Sequence, residues 1–423
     1  MTCHLGLDFG TSGARGCVVD ADGFVIHEDR FAYPDPGEQS PLDWREALLL
    51  LLRRLPAEIA GQLTAIAVDG TSATVLLCDT ELKPVSPVLL YSDAHAVREA
   101  GELTTLAPAG HIACNATSGL AKFKWMTKQA GVDHAAWFMH QADWLTSLLS
   151  GQPGISDYHN ALKTGYDVER LCWPEWVMAL PYAHLLPDVK VPGTVIGTIR
   201  SDIAAHLGIN PQCLIHAGTT DSTAAFIASG IGETGIGLTS LGTTLVLKQL
   251  SDRRIEAPEY GIYSHRFGDL WLVGGASNAG AGVLQNYFSN EQLSAMSAQI
   301  DPQQDSPLDY YPLNKTGERF PVCNPELSPR LEPRPASNVE FLHGLLQGLC
   351  RIEAAGYAKL AELGAPALKH IISSGGGAEN DIWRRMRERI LAVPVTRAVH
   401  GEAAYGTALL CSNPAQLRNT PES

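Results

Sequence analysis

The amino-acid sequence predicts an α/β protein built from two related domains. Its 423 residues are more than one compact domain usually holds, because domains of about 100–200 residues are the norm. A strand–turn–strand pattern near the N-terminus returns in the second half of the chain, which indicates a duplicated core. In both halves, helical spacing and then a further strand come after this pattern, an order typical of α/β modules.

Composition and charge exclude several classes of protein. Lys and Arg number 31 against 45 Asp and Glu, a net charge of −14, so a nucleic-acid or anionic-membrane partner is not expected. The hydrophobic share of 45% and the charged share of 18% exclude disorder as the main state. The 9 Cys show no metal or redox spacing and no signal peptide is recognised, so we expect free thiols in a reducing cytoplasm. The longest apolar stretch, residues 47–52, predicts a buried helix and falls far short of the about 20 residues of a membrane span.

The first module is predicted to contain three strands, a helix and a fourth strand. Two strand-like runs flank a Gly-bounded turn, a third run follows Asp22-Gly23, and helical spacing then gives way to another strand. The predicted elements are strands at 5–9, 14–19 and 24–31, a helix at 43–55 and a strand at 65–68.

The second module repeats this opening. Placing Gly10-Thr11 over Gly242-Thr243 aligns two turns that are each flanked by strand-like residues, although Asp8 of the first copy becomes Ser240 in the second. We therefore predict an N-terminal domain at 1–234 and a C-terminal domain at 235–423. The other predicted elements are strands at 237–241, 245–247, 271–273 and 370–372, helices at 224–229, 339–363, 381–391 and 402–410, and an irregular Pro-rich segment at 302–335.

The two Gly-Thr turns are candidate phosphate sites. A P-loop is absent, and the glycines of the first turn lack the Rossmann order and lie in a predicted hairpin. A tight turn can nevertheless point several N–H groups and hydroxyls at an anion, although any tight turn also uses Gly, Thr and Ser for structural reasons. The candidate residues are Gly10, Thr11, Ser12 and Gly13 in the first turn, and Gly242, Thr243 and Thr244 in the second.

Asp8 stands inside an apolar strand just before the first turn. An ionised carboxylate is costly there unless it faces a cation or hydrogen-bond donors. It could cap the turn, but Mg²⁺ beside a triphosphate, held by Asp8 through water, explains its position better.

Several motifs, in the same order, resemble the FGGY carbohydrate kinases of the actin-like, sugar-kinase ATPase superfamily. The resemblance covers nearly the whole chain. The matching segments are the phosphate motifs at 7–12 and 242–244, the middle segments at 143–151 and 157–161, the Gly-Glu-Arg-x-Pro element at 317–321, the adenosine motif at 375–378 with Trp383, and the closing helix at 402–406.

This resemblance implies two ribonuclease-H-like (actin-like ATPase) domains with an interdomain cleft, and the use of ATP and Mg²⁺. It places Asp221, in the run Gly218-Thr219-Thr220-Asp221, at the position of the general base; from the residues alone Asp221 could instead be a helix N-cap. The adenine would lie against Gly376, Gly377, Asn380 and Trp383, although Trp383 could equally be a core residue.

The sugar pocket differs from that of the xylulose kinases. Their Gln-Met-His is missing, and residues 68–76 resemble the Asp-Ala-Thr-Cys-Ser segment of ribulose kinases instead. Thr71, Ser72 and Asp93 are candidate sugar ligands beside Asp221, with turn and cap roles as the alternative. We therefore expect ATP-dependent phosphorylation of a ketopentose, D-ribulose first and D-xylulose second. A non-catalytic nucleotide-binding scaffold is the alternative of another class, but it has no need of a base such as Asp221. The oligomeric state stays open.

Overall fold

The computed structural model describes residues 2–35, 37–129 and 131–412, and the chain forms two compact units. The first unit comprises Met1–Gly230 and the segment that begins at His400, and the second comprises Ile231–Val399. Within the described ranges, no helix is long and apolar enough to cross a membrane. All nine cysteines are free thiols.

A seven-stranded sheet forms the centre of the first unit. Its order is β3-β2-β1-β4-β10-β9, with β11 paired to the end of β4. The strands are β1 Cys3–Phe9, β2 Gly13–Asp20, β3 Val25–Ala32, β4 Leu63–Gly70, β5 Val75–Cys78, β6 Trp137–His140, β7 Ile155–Asp157, β8 Asp188–Lys190, β9 Val195–Thr198, β10 Leu214–His216 and β11 Thr219–Thr220. The helices are α1 Pro41–Arg53, α2 Ala57–Ala60, α3 Val97–Leu103, α4 Gly119–Met126, α5 Gln141–Ser150, α6 Tyr158–Ala161, α7 Glu175–Met178, α8 Ser201–Leu207 and α9 Asp221–Ala228.

The second unit has a six-stranded sheet of order β14-β15-β13-β12-β16-β17. Its strands are β12 Ile236–Leu241, β13 Leu245–Ser251, β14 His265–Phe267, β15 Leu270–Ser277, β16 His370–Ser374 and β17 Val395–Arg397. Its helices are α10 Gly282–Gln285, α11 Asn290–Ser297, α12 Asn338–Glu362 and α13 Asp381–Leu391. Short 3-10 helices in the two units cover Ile112–Cys114, Val132–His134, Leu162–Thr164, Ala183–Leu185, Pro258–Tyr260 and Gly376–Glu379.

The burial of each strand follows from its place in the sheet. Strand β1 is central and almost continuously buried, whereas β3 lies at the edge and alternates between half-buried and exposed residues. Helix α1 begins with a capping box, in which Ser40 Oγ accepts from Asp43 N and Asp43 Oδ2 accepts from Ser40 N at 2.8 Å. Its apolar stripe, including Trp44 and Leu48, packs into the core of the first unit.

The predicted duplication is confirmed by the pairing of the strands. In the first unit β1 is antiparallel to β2 and parallel to β4; in the second, β12 is antiparallel to β13 and parallel to β16. The predicted third strand of the second copy is part of β15, which pairs with β13. The Pro-rich segment contains no helix or strand, as expected, and forms only isolated bridges.

The last helix, α14 Ala403–Ser412, packs in the first unit rather than the second. It contacts β1 and α9 so closely that a Cβ on Gly6 would lie 2.1 Å from Ala404 O, and one on Gly406 would lie 1.9 Å from Ala224 O. Because this helix follows the second module in the chain, the sequence predicts it as part of the domain 235–423. Residues 413–423 of that predicted domain lie outside the described residues.

Candidate active site

The first Gly-Thr turn connects β1 to β2. Its ends are closed by Gly10 N, which donates to Gly13 O at 3.0 Å. Two backbone carbonyls of the turn accept hydrogen bonds from residues outside it: Thr11 O accepts from Gln39 Nε2 at 2.6 Å, and Ser12 O accepts from Tyr33 N at 3.1 Å. Thr11 and Ser12 are both exposed. With its carbonyls bonded elsewhere, the turn can offer N–H and O–H groups to an anion.

Two buried carboxyl groups lie beside each other next to this turn. Asp8 of β1 and Asp69 of β4 are register partners in a parallel pair, and each is at most 3% exposed. Burial raises the pKa of Asp8 to about 6, and it raises the pKa of Asp69 well above its usual value. The bonds that hold them come from Arg15 Nη1, 3.4 Å from Asp8 Oδ2, and from Thr407 Oγ1, which donates to Asp69 Oδ2.

The donor set of this pair fits Mg²⁺. The Oδ1 atoms of Asp8 and Asp69 are both buried and accept no bond from an N–H or O–H donor of another residue, while the two carboxyl groups hydrogen-bond each other. Carboxylate oxygens are ligands that Mg²⁺ prefers, and this ion usually keeps several waters and substrate phosphates in its remaining positions. Within the described ranges, no group of three or more His, Cys, Asp or Glu side chains is arranged to hold a metal ion.

Asp221 is the first residue of α9, and its carboxyl group belongs to the same cluster. Thr219 of β11 is the register partner of Asp69, so the chain enters α9 just beyond the acid pair. The negative charge of Asp221 contributes to the raised pKa of both Asp8 and Asp69. The N-cap position is occupied by Thr220, and Asp221 Oδ1 accepts from Ser222 N at 2.6 Å. Thr220 thus takes the position at which the alternative put Asp221, and the role of Asp221 as general base stays a prediction.

The candidate sugar residues differ in how their polar atoms are used. Thr71 N and Oγ1 both donate to Gln141 Oε1, at 3.0 and 3.1 Å, and Thr71 Oγ1 shares a further bond with Thr74. Ser72 Oγ is buried and has no partner. Asp93 Oδ1 accepts from His95 N at 2.9 Å, the turn role left open by the sequence. Ser72 is thus the candidate whose hydroxyl is free to bond a ligand, and all three assignments stay predictions.

A pocket of about 640 Å³ lies in the second unit, within the size range of small-molecule sites. It brings together most of the predicted nucleotide residues, namely Gly242, Thr243, Gly376, Gly377, Asn380 and Trp383. Thr244 is not among the residues that line it.

The residues around this pocket have different tasks. A Cβ on Gly376 would meet no atom within 4 Å, so a ligand can approach the backbone there. A Cβ on Gly377 would lie 2.6 Å from the ring of Trp383, which is 2% exposed and belongs to the core. Asn380 caps α13 by accepting from Trp383 N at 3.0 Å, and its Nδ2 donates to Ser297 Oγ at 2.8 Å. Trp383 and Asn380 therefore line the pocket with side chains that packing and hydrogen bonds hold in place.

Two family models match the chain in sequence order. The N-terminal domain of the FGGY family of carbohydrate kinases matches residues 3–228, and its C-terminal domain matches residues 237–413. The chain belongs to the FGGY family of carbohydrate kinases. As a member of this family it is a carbohydrate kinase, with the two-domain actin-like ATPase fold.

Relatives of this kinase carry more than one sugar name. It is 27% identical to the xylulose kinase of Streptomyces rubiginosus over 461 residues, which cover 96% of this chain and 88% of that one. It is 24% identical to the gluconokinase of Bacillus subtilis over 432 residues, which cover 91% and 82%. The structure of Plasmodium falciparum glycerol kinase with ADP matches it with a TM-score of 0.84 at 17% identity, covering 100% of this chain and 93% of that one.

Other segments of this kinase that match the family support the site without lining it. Within 157–161, Asn160 Nδ2 donates to Asp157 Oδ2 at 2.6 Å and to Thr219 O at 3.1 Å, which fixes the strand before Asp221. Burial raises the pKa of Asp157 to about 7. Glu318 of the Gly-Glu-Arg-x-Pro element is buried and accepts from Ser277 Oγ at 2.5 Å, at the end of β15. These residues therefore hold neighbouring parts of the backbone in place.

Sequence reasoning missed Asp69 as a site residue. Like Asp8 it is a carboxylate at the end of an apolar strand, and that signal could have found it. It also missed a buried ion pair in the second unit, where Glu353 accepts two bonds of 2.6 Å from Arg387 and a third from Thr239 Oγ1.

Proposed function

We propose that this kinase transfers the γ-phosphoryl group of ATP to D-ribulose, giving D-ribulose 5-phosphate. The observation that carries the proposal is the position of Asp221 at the start of α9, beside the buried pair of Asp8 and Asp69. A carboxylate at this point can accept the proton of an attacking hydroxyl, and phosphoryl transfer needs little other covalent chemistry from the protein.

The roles of the remaining residues follow from their surroundings. Asp8, with Asp69 beside it, would hold Mg²⁺ through water, and the bound ion would neutralise charge on the phosphates. The first turn, Gly10–Gly13, and the second turn, Gly242–Thr244, present groups suited to phosphate oxygens. The pocket of the second unit suits the nucleoside, with the backbone at Gly376 as its point of closest approach. The ADP bound to the related glycerol kinase supports the choice of an adenine nucleotide.

The sugar assignment rests on the segment that spans the end of β4 and the residues after it. Its sequence, Asp69-Gly70-Thr71-Ser72, lacks the Gln-Met-His of xylulose kinases, and the buried hydroxyl of Ser72 lacks a partner. A buried hydroxyl without a partner favours a ligand that can bond it, and discriminates against one that cannot. D-xylulose is the second candidate, because a xylulose kinase is among the relatives that match along most of the chain.

The test is ADP release with D-ribulose, D-xylulose, D-gluconate and glycerol as acceptors, each at saturating ATP and Mg²⁺. We expect kcat/KM to be highest for D-ribulose, with glycerol far lower. Ser72→Ala should raise the KM for the preferred sugar by about tenfold while leaving the KM for ATP unchanged, because one bond to a ligand hydroxyl is lost. A preference for D-gluconate or glycerol would overturn the sugar assignment, and a Ser72→Ala variant with unchanged kinetics would remove Ser72 from the pocket.

A further inference from the structure

Lys122 of α4 is a fully buried lysine with an unusual set of partners. Its Nζ donates to two backbone carbonyls, Leu90 O at 2.6 Å and Ala73 O at 2.8 Å. Among the carboxylates in the described ranges, none forms an ion pair with it; Asp93 is the negative charge that acts on it from a distance. Burial lowers the pKa of Lys122 to about 7. Since burying an ammonium without a carboxylate costs free energy, its bonds to the two carbonyls need a reason.

One of these carbonyls belongs to a residue in a strained conformation. Ala73 has a φ of 64°, in the left-handed region of backbone conformation that residues other than glycine rarely adopt. Such conformations persist only where the surrounding structure imposes them, and they cluster at functional sites. The hydrogen bond from Lys122 Nζ to Ala73 O is one of the contacts that hold Ala73 in its left-handed conformation.

The two carbonyls also belong to two separate segments of the proposed sugar pocket. Ala73 directly follows Ser72, whose buried hydroxyl has no partner. Leu90 O also accepts from Asp93 N at 2.9 Å, so it fixes the turn that carries Asp93. A further bond joins the segments, because Tyr91 N donates to Thr74 Oγ1 at 2.9 Å.

We propose that Lys122 is a positioning residue for the sugar: its ammonium group holds segments 71–74 and 90–93 at the separation that lets Ser72 and Asp93 bind the same substrate. The identity of the substrate in this proposal rests on the proposed function, whereas the contacts of Lys122 do not depend on it. Lys122 itself does not reach the sugar, because its side chain is fully buried. It acts through the backbone of Ala73 and Leu90.

The kinetic test compares Lys122→Met with Lys124→Met. Methionine keeps the length of the buried stem and removes the ammonium, whereas Lys124 lies on the same helix and pairs with Glu102 near the surface. We expect Lys122→Met to raise the sugar KM by about tenfold or more, since small misplacements of binding groups are costly, with a smaller change in kcat. The KM for ATP should not change, and Lys124→Met should match the wild type in all three constants.

Adding Ala73→Gly to Lys122→Met should restore most of the lost sugar affinity. Glycine adopts a φ of 64° without strain, so the turn needs the lysine less. A merely structural lysine would affect thermal stability and leave the sugar KM unaffected by either substitution. A wild-type sugar KM in Lys122→Met, or a double variant no better than the single one, would overturn the proposal.

Hydrogen exchange gives a readout that needs no sugar. In Lys122→Met two amides should exchange faster: that of Tyr91, whose bond to Thr74 Oγ1 joins the two segments, and that of Thr74, whose bond to Thr71 O closes the turn within the first segment. Ala73→Gly should slow both again. Unchanged exchange would overturn the proposal. If Lys122→Met does not fold, Ala73→Val strains the same turn with the lysine in place, and an unchanged sugar KM in that variant would overturn it equally. A wild type inactive on every sugar would refute the proposed function, and exchange would still decide whether Lys122 holds the segments.

Discussion

Replacing Asp221 by asparagine tests its role in catalysis with little change to the structure, because one carboxylate oxygen is replaced by an amide nitrogen. Asparagine keeps the shape of the side chain, and its Oδ1 can still accept from Ser222 N, the bond of 2.6 Å seen in the protein. It cannot take a proton from an attacking hydroxyl. Loss of a general base costs about 10²–10⁴-fold in rate, which is about 2.7–5.4 kcal/mol at 1.36 kcal/mol per tenfold.

The effect of this change on folding is much smaller, and its two parts have opposite signs. Asp221 is a negative charge at the N-terminus of α9, which stabilises a helix by about 0.3–1 kcal/mol. The same charge repels the buried carboxyl groups of Asp8 and Asp69, so removing it lowers their pKa values and favours their ionised forms. The Tm of Asp221→Asn should therefore stay near that of the wild type while the rate falls steeply.

The assay is sugar-dependent ADP release, with ATP affinity from calorimetry and Tm from thermal melting on the same samples. Asp202→Asn is the matched control, because Asp202 lies in the first turn of α8 and its replacement also removes a carboxylate from a helix N-terminus. The control should keep wild-type turnover. An Asp221→Asn enzyme that phosphorylates the sugar at near the wild-type rate would refute the assignment of the base.

Three other substitutions test the nucleotide pocket, a core network and the acid pair. Gly376→Val should raise the KM for ATP by about tenfold or more, because the new side chain enters the pocket, whereas Gly232→Val, which also adds a side chain in open space, should not; equal KM values would place the nucleotide elsewhere. Arg387→Met leaves Glu353 buried and unpaired, so urea unfolding should show a loss of about 3–5 kcal/mol, and a loss below about 1 kcal/mol, typical of a surface pair, would contradict the network. Asp8→Asn should abolish ADP release and raise the Tm above about pH 6. The sign follows from the raised pKa: neutral Asp8 favours folding at low pH, and this contribution is lost as the pH rises through about 6, so a variant with the pH dependence of the wild type would refute it.

Local patterns were sufficient to predict the strands around both Gly-Thr turns, and the helix and fourth strand that follow them in the first unit. Alternating and continuous apolar runs marked β1 and β12, and the Gly-Thr turns after them marked the hairpins, because tight turns leave a strong local signature. Most predicted nucleotide residues also came together in one pocket, since the adenosine motif at 375–378 and the turn at 242–244 follow adjacent parallel strands. Motif spacing carries this information because the ends of such strands meet at one edge of a sheet.

The features that were not predicted depend on contacts between distant parts of the chain. Asp69, like Asp8, stands near the end of an apolar strand, but its position beside Asp8 depends on the register of β1 with β4, which no local pattern specifies. Lysine is usually a surface residue, and only the approach of the carbonyls of Ala73 and Leu90 explains why Lys122 is buried. The bonds from Thr71 to Gln141, which is distant in sequence, were also not predictable from a local pattern.

The place of α14 affects the order in which the protein can be completed during synthesis. This helix covers β1 and α9 of the first unit, yet the ribosome makes it only after residues 231–399. At about 5–20 residues per second, that interval lasts on the order of ten seconds or more. Until then the narrow surface around Gly6 is uncovered and Asp69 lacks the bond from Thr407. The first unit is made first, but it can complete its packing only after the second unit and α14 have also been translated.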